Sequence, residues 1–215
     1  VSRKVSDSTV RRLSHYLRVL EQRSSPAEET VSSRQLAEAS GTTAAQVRKD
    51  LSIFGSFGKR GQGYDAPELT RRLRSIMGLE QGWRVALLGV GRIGSALVEY
   101  NDFRARGFDI VAIFDTDEEK IGQRREGIEI LPPSALPQVV RDEQIQLAII
   151  AVPSDAAQEM VDAAVAAGVR GILNFAPRKI RVADEVAVQS VNMVMELEAL
   201  AFKLSGNGDS SGSER

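Results

Sequence analysis

Gly89, Gly91 and Gly94 stand in the spacing G-x-G-x-x-G, and Asp115 follows 21 residues after the last of them. Each residue has its own chemical use. Gly89 allows a sharp turn off a strand. Gly91 lacks a Cβ, so the backbone can approach a pyrophosphate, and Gly94 lets a helix pack close to a sheet. Val90, Arg92 and Ile93 fill the turn and open that helix, whose N–H groups and positive dipole end suit phosphates. The Asp115 carboxylate can accept from both ribose hydroxyls and would repel a 2′-phosphate, which favours NAD(H) over NADP(H). The lesser alternative is a Rossmann-like domain that uses these glycines for packing alone.

The flanking elements fit that chemistry. The apolar run Val85–Leu88 leads directly into Gly89, and a second run, Ile110–Phe114, ends on Asp115. Strand, glycine turn, helix, strand and acid make a dinucleotide-binding βαβ unit. Thr116, Asp117 and Lys120 lie in the polar turn that follows and are candidates for the adenosine side. Residues 127–131 read as a short strand, and Ser134 is expected to cap a brief helix through Val140. Ile145–Val152 is the buried strand after the crossover. A helix is expected over Ser154–Ala167, then a strand over Arg170–Asn174 and a last β-like run over Val186–Val191. Ligands bind outside the carboxyl ends of such strands. Val152, Pro153 and Phe175 therefore mark an apolar pocket that would penalise a cationic nicotinamide more than a neutral one.

A second constellation lies upstream. Ser8–Gln22 reads as an amphipathic helix with Val10, Leu13, Leu17 and Leu20 on one face. Ser32 to Gln35 and Thr43 to Gln46 both have capping-box spacing. They predict a short helix ended by Gly41, then a second over about 44–54 with Val47, Leu51 and Phe54 buried. Two short helices joined by a glycine turn read as helix-turn-helix. Gln46, Arg48, Lys49 and Ser52 lie off the apolar stripe, where they would face a major groove. The stretch 55–64, GSFGKRGQGY, reads as a glycine-rich hairpin, or wing, with Lys59 and Arg60 at its tip for phosphates or a minor groove. Leu69, Leu73 and Ile76 predict a closing helix. The plainer alternative is that these cations are ordinary solvated charges. Charge is split along the chain: residues 1–80 carry 14 basic and 9 acidic residues, whereas residues 81–215 carry 14 and 20. The first part suits a polyanion and the second does not.

Composition narrows the classes further. The chain has 215 residues, 42% hydrophobic and 27% charged, and no cysteine. Disulfides, thiol switches and cysteine metal sites are excluded. No membrane-length apolar run and no signal peptide are evident, so a cytoplasmic location is expected. The single histidine, His15, receives no role, and neither a catalytic group nor a metal site is assigned. The expected organisation is α/β: a winged-helix DNA-binding domain over 1–80 and a Rossmann NAD(H)-binding domain over 81–191. A dimerisation helix follows over 192–204, and a Gly/Ser-rich disordered tail over 205–215. Asn192 is expected to cap that helix. Val194, Leu197, Leu200, Ala201 and Leu204 give it an apolar face that needs a partner, on its own subunit or on a second one.

The stretch Gln46-Val47-Arg48-Lys49-Asp50-Leu51, through Gly58-Lys59-Arg60-Gly61-Gln62-Gly63-Tyr64, closely resembles the Rex family of bacterial redox-sensing transcriptional repressors. The resemblance continues through GVGRIGSAL, the stretch from Ile113 to Gly122, AVP at 151–153 and NFAP at 174–177, and spans residues 8–204. It implies a homodimer with exchanged C-terminal helices on palindromic double-stranded operators. NADH would release the dimer from DNA, whereas NAD+ would compete and leave it able to bind. The resemblance also implies a domain-coupling contact among Arg18, Tyr100 and position 192. Here that position is Asn192, which cannot form an ion pair with Arg18. The next position, where an aromatic side chain can occur near the nicotinamide, is Met193. Two rivals belong to other classes. One is an NAD-dependent dehydrogenase, against which stand the missing substrate domain and the absence of any histidine from the Rossmann region. The other is an acyl-CoA sensor, against which Asp115 stands.

Overall fold

The computed structural model describes residues 5–23, 30–57 and 63–205, and backbone proximity divides the chain into two units, Val1–Gln81 and Gly82–Arg215. In the first unit, helix α1 (Asp7–Glu21) is capped by Ser6, whose hydroxyl accepts the Thr9 N–H at 3.3 Å. Its buried face is Leu13, Tyr16, Leu17 and Leu20; Val10, expected on that stripe, is instead exposed. Tyr16 takes the buried position because its hydroxyl finds a partner inside, as described below.

Helix α2 (Ser33–Ser40) opens with the full capping box of Ser32 and Gln35. Gly41 ends it in the left-handed conformation, at φ +62°, which a Cβ would oppose. Helix α3 (Ala44–Ser52) follows, with Val47 and Leu51 fully buried. It stops short of the expected Phe54, because Phe54 N–H bonds Leu51 O in a tighter turn and the ring is only half buried. Helix α4 (Ala66–Ile76) closes the unit through Leu69 and Leu73. Two strands complete it. Strand β1 (Thr30–Val31) pairs antiparallel with β2 (Tyr64–Asp65). The strand after the glycine stretch thus pairs back to the entrance of α2, and the tip of the expected 55–64 hairpin, residues 58–62, lies outside the described residues. Lys59 and Arg60 lie outside the described residues.

The second unit is a seven-stranded sheet. Its strands are β3 (Trp83–Leu88), β4 (Phe108–Phe114), β5 (Arg124–Arg125), β6 (Ile128–Leu131), β7 (Leu147–Ile150), β8 (Gly171–Asn174) and β9 (Ala187–Ser190). The spatial order is β5-β6-β4-β3-β7-β8-β9, parallel except for β5 against β6. From β3 the chain first winds outward through β4 and β6 and then crosses to β7 on the other side, so the crevice of this doubly wound sheet opens at the carboxyl ends of β3 and β7. The central strands β3, β4, β7 and β8 are apolar runs because both faces are covered, whereas the edge strands β5 and β9 are largely exposed. Leu88, Phe114, Ala148 and Ile150 pack under α7 (Leu136–Asp142) and α8 (Ala157–Ala167). Val85, Leu87, Ile113 and Ile149 pack on the other face with Leu97, Val98 and Phe103, carried by α5 (Arg92–Val98) and α6 (Asp102–Ala105).

Two expected helix starts move. Pro133 opens a 3-10 turn through Ala135 before α7, and Ser134 lies inside that turn and caps no helix. Residues 154–156 form a turn closed by Ala156 N–H on Pro153 O at 3.2 Å, so α8 begins at Ala157 rather than Ser154. The final helix, α9 (Met193–Leu204), has Asn192 as its cap: Oδ1 accepts the N–H groups of Val194 and Met195 at 3.0 and 3.3 Å. No residue of α9 is buried within the chain; Leu197 is 65% and Leu204 87% exposed.

Candidate nucleotide cleft and nucleic-acid interface

Sheet register builds the cleft. Leu88 aligns with Phe114 and Ile150, and Ile150 with Asn174. The next residues, Gly89, Asp115, Ala151 and Phe175, therefore emerge together at the carboxyl edge. Gly89 adopts φ +96°, and a Cβ there would come within 2.6 Å of Ala151 O. A Cβ on Gly94 would overlap the Gly89 carbonyl, so the first turn of α5 sits directly against the strand end. Nothing lies within 4 Å of a Cβ position at Gly91, which leaves its backbone open to an incoming group.

The cleft has a volume of about 300 Å³. Of the expected cofactor residues, it brings together Gly89, Gly91, Asp115, Thr116, Lys120, Val152 and Pro153. Asp117, Pro133, Ala156 and Met160 also line it. Of these, Asp117 is the one already expected, as a candidate for the adenosine side. Pro133, Ala156 and Met160 come from turns and a helix whose starts the sequence misplaces. Val90 and Gly94 are buried beneath the cleft, while Arg92 and Ile93 stand exposed on the first turn of α5. Phe175 does not line the cleft. It packs with the Val85–Ile149 cluster on the other sheet face, whereas Val152 packs with the α7–α8 cluster. Phe175 thus continues the alternation of β8 on the face of Leu173, while buried Asn174 accepts the Ala176 N–H and donates to Ala176 O and Arg178 O.

Asp115 is held before any ligand arrives. Oδ2 accepts the Val90 N–H at 2.7 Å, and Oδ1 accepts the Asp117 N–H at 2.9 Å. One carboxylate thus ties the glycine turn to the turn after β4; Oδ2 also receives Lys120 Nζ at 3.5 Å, while Oδ1 keeps a lone pair for another donor. Lys120 Nζ lies 3.0 Å from Asp117 and 3.5 Å from Asp115. Its hydrogen bond to Asp117 holds the ammonium above its ordinary pKa and the Asp117 carboxyl below its own. The ingredients fit a dinucleotide: an open glycine backbone, a preset carboxylate and an apolar wall of Val152, Pro153 and Met160.

In the first unit, Arg48, Lys49 and Ser52 are exposed on α3. Arg48 donates to Ser33 Oγ at 3.0 Å, and Ser52 Oγ donates to Lys49 O at 2.8 Å. Asp50, on the same helix, is 1% exposed. Arg12 reaches it with two nitrogens, at 2.6 and 2.8 Å, and Tyr16 donates to it at 2.9 Å. Burial opposes the charge, but hydrogen bonds from Arg12, Gln46 and Tyr16 outweigh it and hold the carboxyl below the usual range. Burial and the Asp50 hydrogen bond push the Tyr16 phenol up to about 12. Sequence reasoning missed this cluster. Its one signal is the i, i+4 spacing of Arg12 and Tyr16, which puts both on one side of α1.

Fold and site together define a helix-turn-helix regulator joined to a dinucleotide-type Rossmann unit. Comparison supports both halves. A family model for a CoA binding domain matches residues 80–178, and one described as "Putative DNA-binding protein N-terminus" matches residues 4–52. The redox-sensing transcriptional repressor Rex of Desulforamulus reducens is 45% identical, covering 94% of this chain and 96% of its own. That of Thermus thermophilus is 45% identical, covering 94% of each. A crystal structure of RSP in complex with β-NAD+ and operator DNA matches with a TM-score of 0.90 at 32% identity, over 96% of this chain and 95% of that one. RSP in complex with β-NADH matches at 0.85 and 31% identity, over 96% and 97%. The chain belongs to the Rex family of redox-sensing transcriptional repressors. It stands among regulators, not enzymes.

Proposed function

We propose that this chain binds a palindromic operator as a homodimer, keeps it with NAD+ in the cleft and releases it with NADH. The observation that carries the reading is Asp115. It sits one residue beyond the end of β4, next to the switch point, already braced to Val90 and Asp117, beside an open Gly91. A related repressor has been crystallised with β-NAD+ plus operator DNA, and with β-NADH, which supports carrying both ligands to this chain. The glycine turn holds the pyrophosphate, with Val90, Arg92, Ile93 and Gly94 shaping it. Asp115 takes the ribose diol, and Thr116 and Lys120 flank the adenosine. Val152 and Pro153 disfavour the cationic nicotinamide.

On the DNA side, Arg48, Lys49 and Ser52 face the major groove, while Lys59 and Arg60 take phosphates or the minor groove. The exposed apolar face of α9 packs on a second subunit, and the protein works in the cytoplasm. Arg18, Tyr100 and Asn192 link the two kinds of domain. Asn192 carries no charge, so the link to Arg18 here lacks a charge pair, and its Oδ1 serves as the cap of α9.

The test is fluorescence anisotropy on a labelled operator selected from random duplexes. NADH, NAD+, NADPH and coenzyme A are titrated into the preformed complex, the last because the family model for residues 80–178 describes a CoA binding domain. Release by NADH far below the concentration needed for the others is the expected result. Release by coenzyme A alone would replace NADH with an acyl-carrier ligand. Indifference to all four would overturn the ligand-switch reading.

A further inference from the structure

Two helices of the first unit open with the same Ser/Thr-x-x-Gln spacing and use the glutamine differently. In α2, Gln35 folds back so that Oε1 accepts the Ser32 N–H at 2.8 Å. In α3, Thr43 Oγ1 accepts the Gln46 N–H at 3.1 Å, but the Gln46 side chain turns forward and Nε2 donates to Asp50 Oδ1 at 2.8 Å. An ionised carboxylate only accepts, so only the NH₂ side of the amide can face it. Chemistry therefore fixes which way the amide points. Arg12 and Tyr16 hold the carboxylate from α1, so the orientation is set by a buried, fully partnered group. Among the described residues, Gln46 Oε1 has no hydrogen-bond partner.

We propose that Asp50 orients Gln46 to read an adenine edge in the major groove. Gln46 is then a specificity-determining residue and Asp50 its positioning residue. The proposal rests on the operator-binding reading above. Adenine offers an N6–H donor beside the N7 acceptor. Outward Oε1 accepts the first, and the second hydrogen of Nε2 goes to the other. Guanine offers two acceptors, O6 and N7, and Oε1 held outward meets O6 without a proton between them. A glutamine free of Asp50 can turn its amide over and donate to guanine. The fixed orientation is what separates A from G. Asp50 also ties α1 to α3, and the two roles have different signatures. A tie alone changes affinity for all duplexes together, whereas orientation changes the preference at one base pair.

The experiment replaces each base pair of a selected operator in turn and measures affinity for the full-length protein by anisotropy. Wild type is expected to lose roughly 5- to 150-fold when one A·T pair per half-site becomes G·C. Gln46→Ala equalises the two pairs there and keeps the ranking elsewhere. Gln46→Glu, which only accepts, moves the preference at that position to the cytosine amine. Asp50→Asn narrows the A-over-G ratio at that position alone. Should Asp50→Asn fail to fold, the wild type supplies the second measurement. The Gln46 side-chain amide, followed by ¹⁵N NMR, shifts as acid protonates Asp50. A base profile unchanged by Gln46→Ala, or an amide signal indifferent to acid, overturns the proposal with the operator reading intact. A wild type that prefers no base pair anywhere overturns both.

Discussion

Asp115 performs two jobs with one carboxylate, and its removal should show both. Asp115→Ala deletes the proposed ribose acceptor and frees the Val90 and Asp117 N–H groups from each other. Hydrogen bonds to charged groups contribute about 1.5–3 kcal/mol each, so NADH affinity should fall roughly 10- to 100-fold by calorimetric titration. Unchanged affinity would remove Asp115 from the site. Gly94→Ala tests the packing argument separately. Its methyl group has no room against the Gly89 carbonyl, so α5 must shift, at a cost of about 1–3 kcal/mol by analogy with overpacked cores. A thermal unfolding midpoint equal to wild type would contradict that. Asp115 was legible in the sequence because its role depends on spacing from the glycines. The brace to Val90 was not, because it depends on the local turn that brings a backbone N–H to the carboxylate. Phe175 shows the limit differently: it continues the alternation of β8, sharing a face with Leu173 rather than with Ile172, so the edge was right and the face was not.

At the level of elements, α3 is held by α1 through Asp50 as well as by Val47 and Leu51. Asp50→Ala leaves Arg12, which is partly exposed, without its partner, so the loss is expected near the low end of a broken buried pair, about 3 kcal/mol. Denaturant unfolding of the chain measures it. The pH dependence follows from the directions of the shifts. The folded carboxyl titrates below its unfolded value, so its contribution is complete above the ordinary Asp range and disappears as pH falls through the lower folded pKa. Tyr16 acts at the other extreme. Between its ordinary value near 10 and the folded value of about 12, the unfolded chain gives up its proton first, so stability declines as pH rises there. Wild type should lose stability in both windows, while Tyr16→Phe should flatten the alkaline one. An unchanged alkaline slope in Tyr16→Phe would contradict the assignment. Helix starts at Ser32, Thr43 and Asn192 were readable because caps act over three residues. The starts of α7 and α8 were not, because prolines and a short turn delay them. The Arg12–Tyr16–Asp50 cluster spans 38 residues of sequence and exists only once two helices pack.

At the scale of the whole molecule, α9 leaves an apolar face uncovered within its own chain. If a second copy covers it, Leu200→Asp should yield a monomer by sedimentation velocity and weaken operator binding, while a persistent dimer would place the interface elsewhere. Asn192→Asp keeps a good cap for α9 and adds the charge that Arg18 lacks. It should enlarge the factor by which NADH lowers operator affinity, and an unchanged factor would exclude the Arg18 link. The central claim is that cleft and operator report one equilibrium, and linkage tests it most directly. NADH affinity is measured by calorimetry on the free protein and on protein saturated with operator, beside operator affinity with and without NADH. Both pairs must give the same factor, roughly 5- to 150-fold for a coupling of about 1–3 kcal/mol. Equal NADH affinity in the presence and absence of operator would contradict the account.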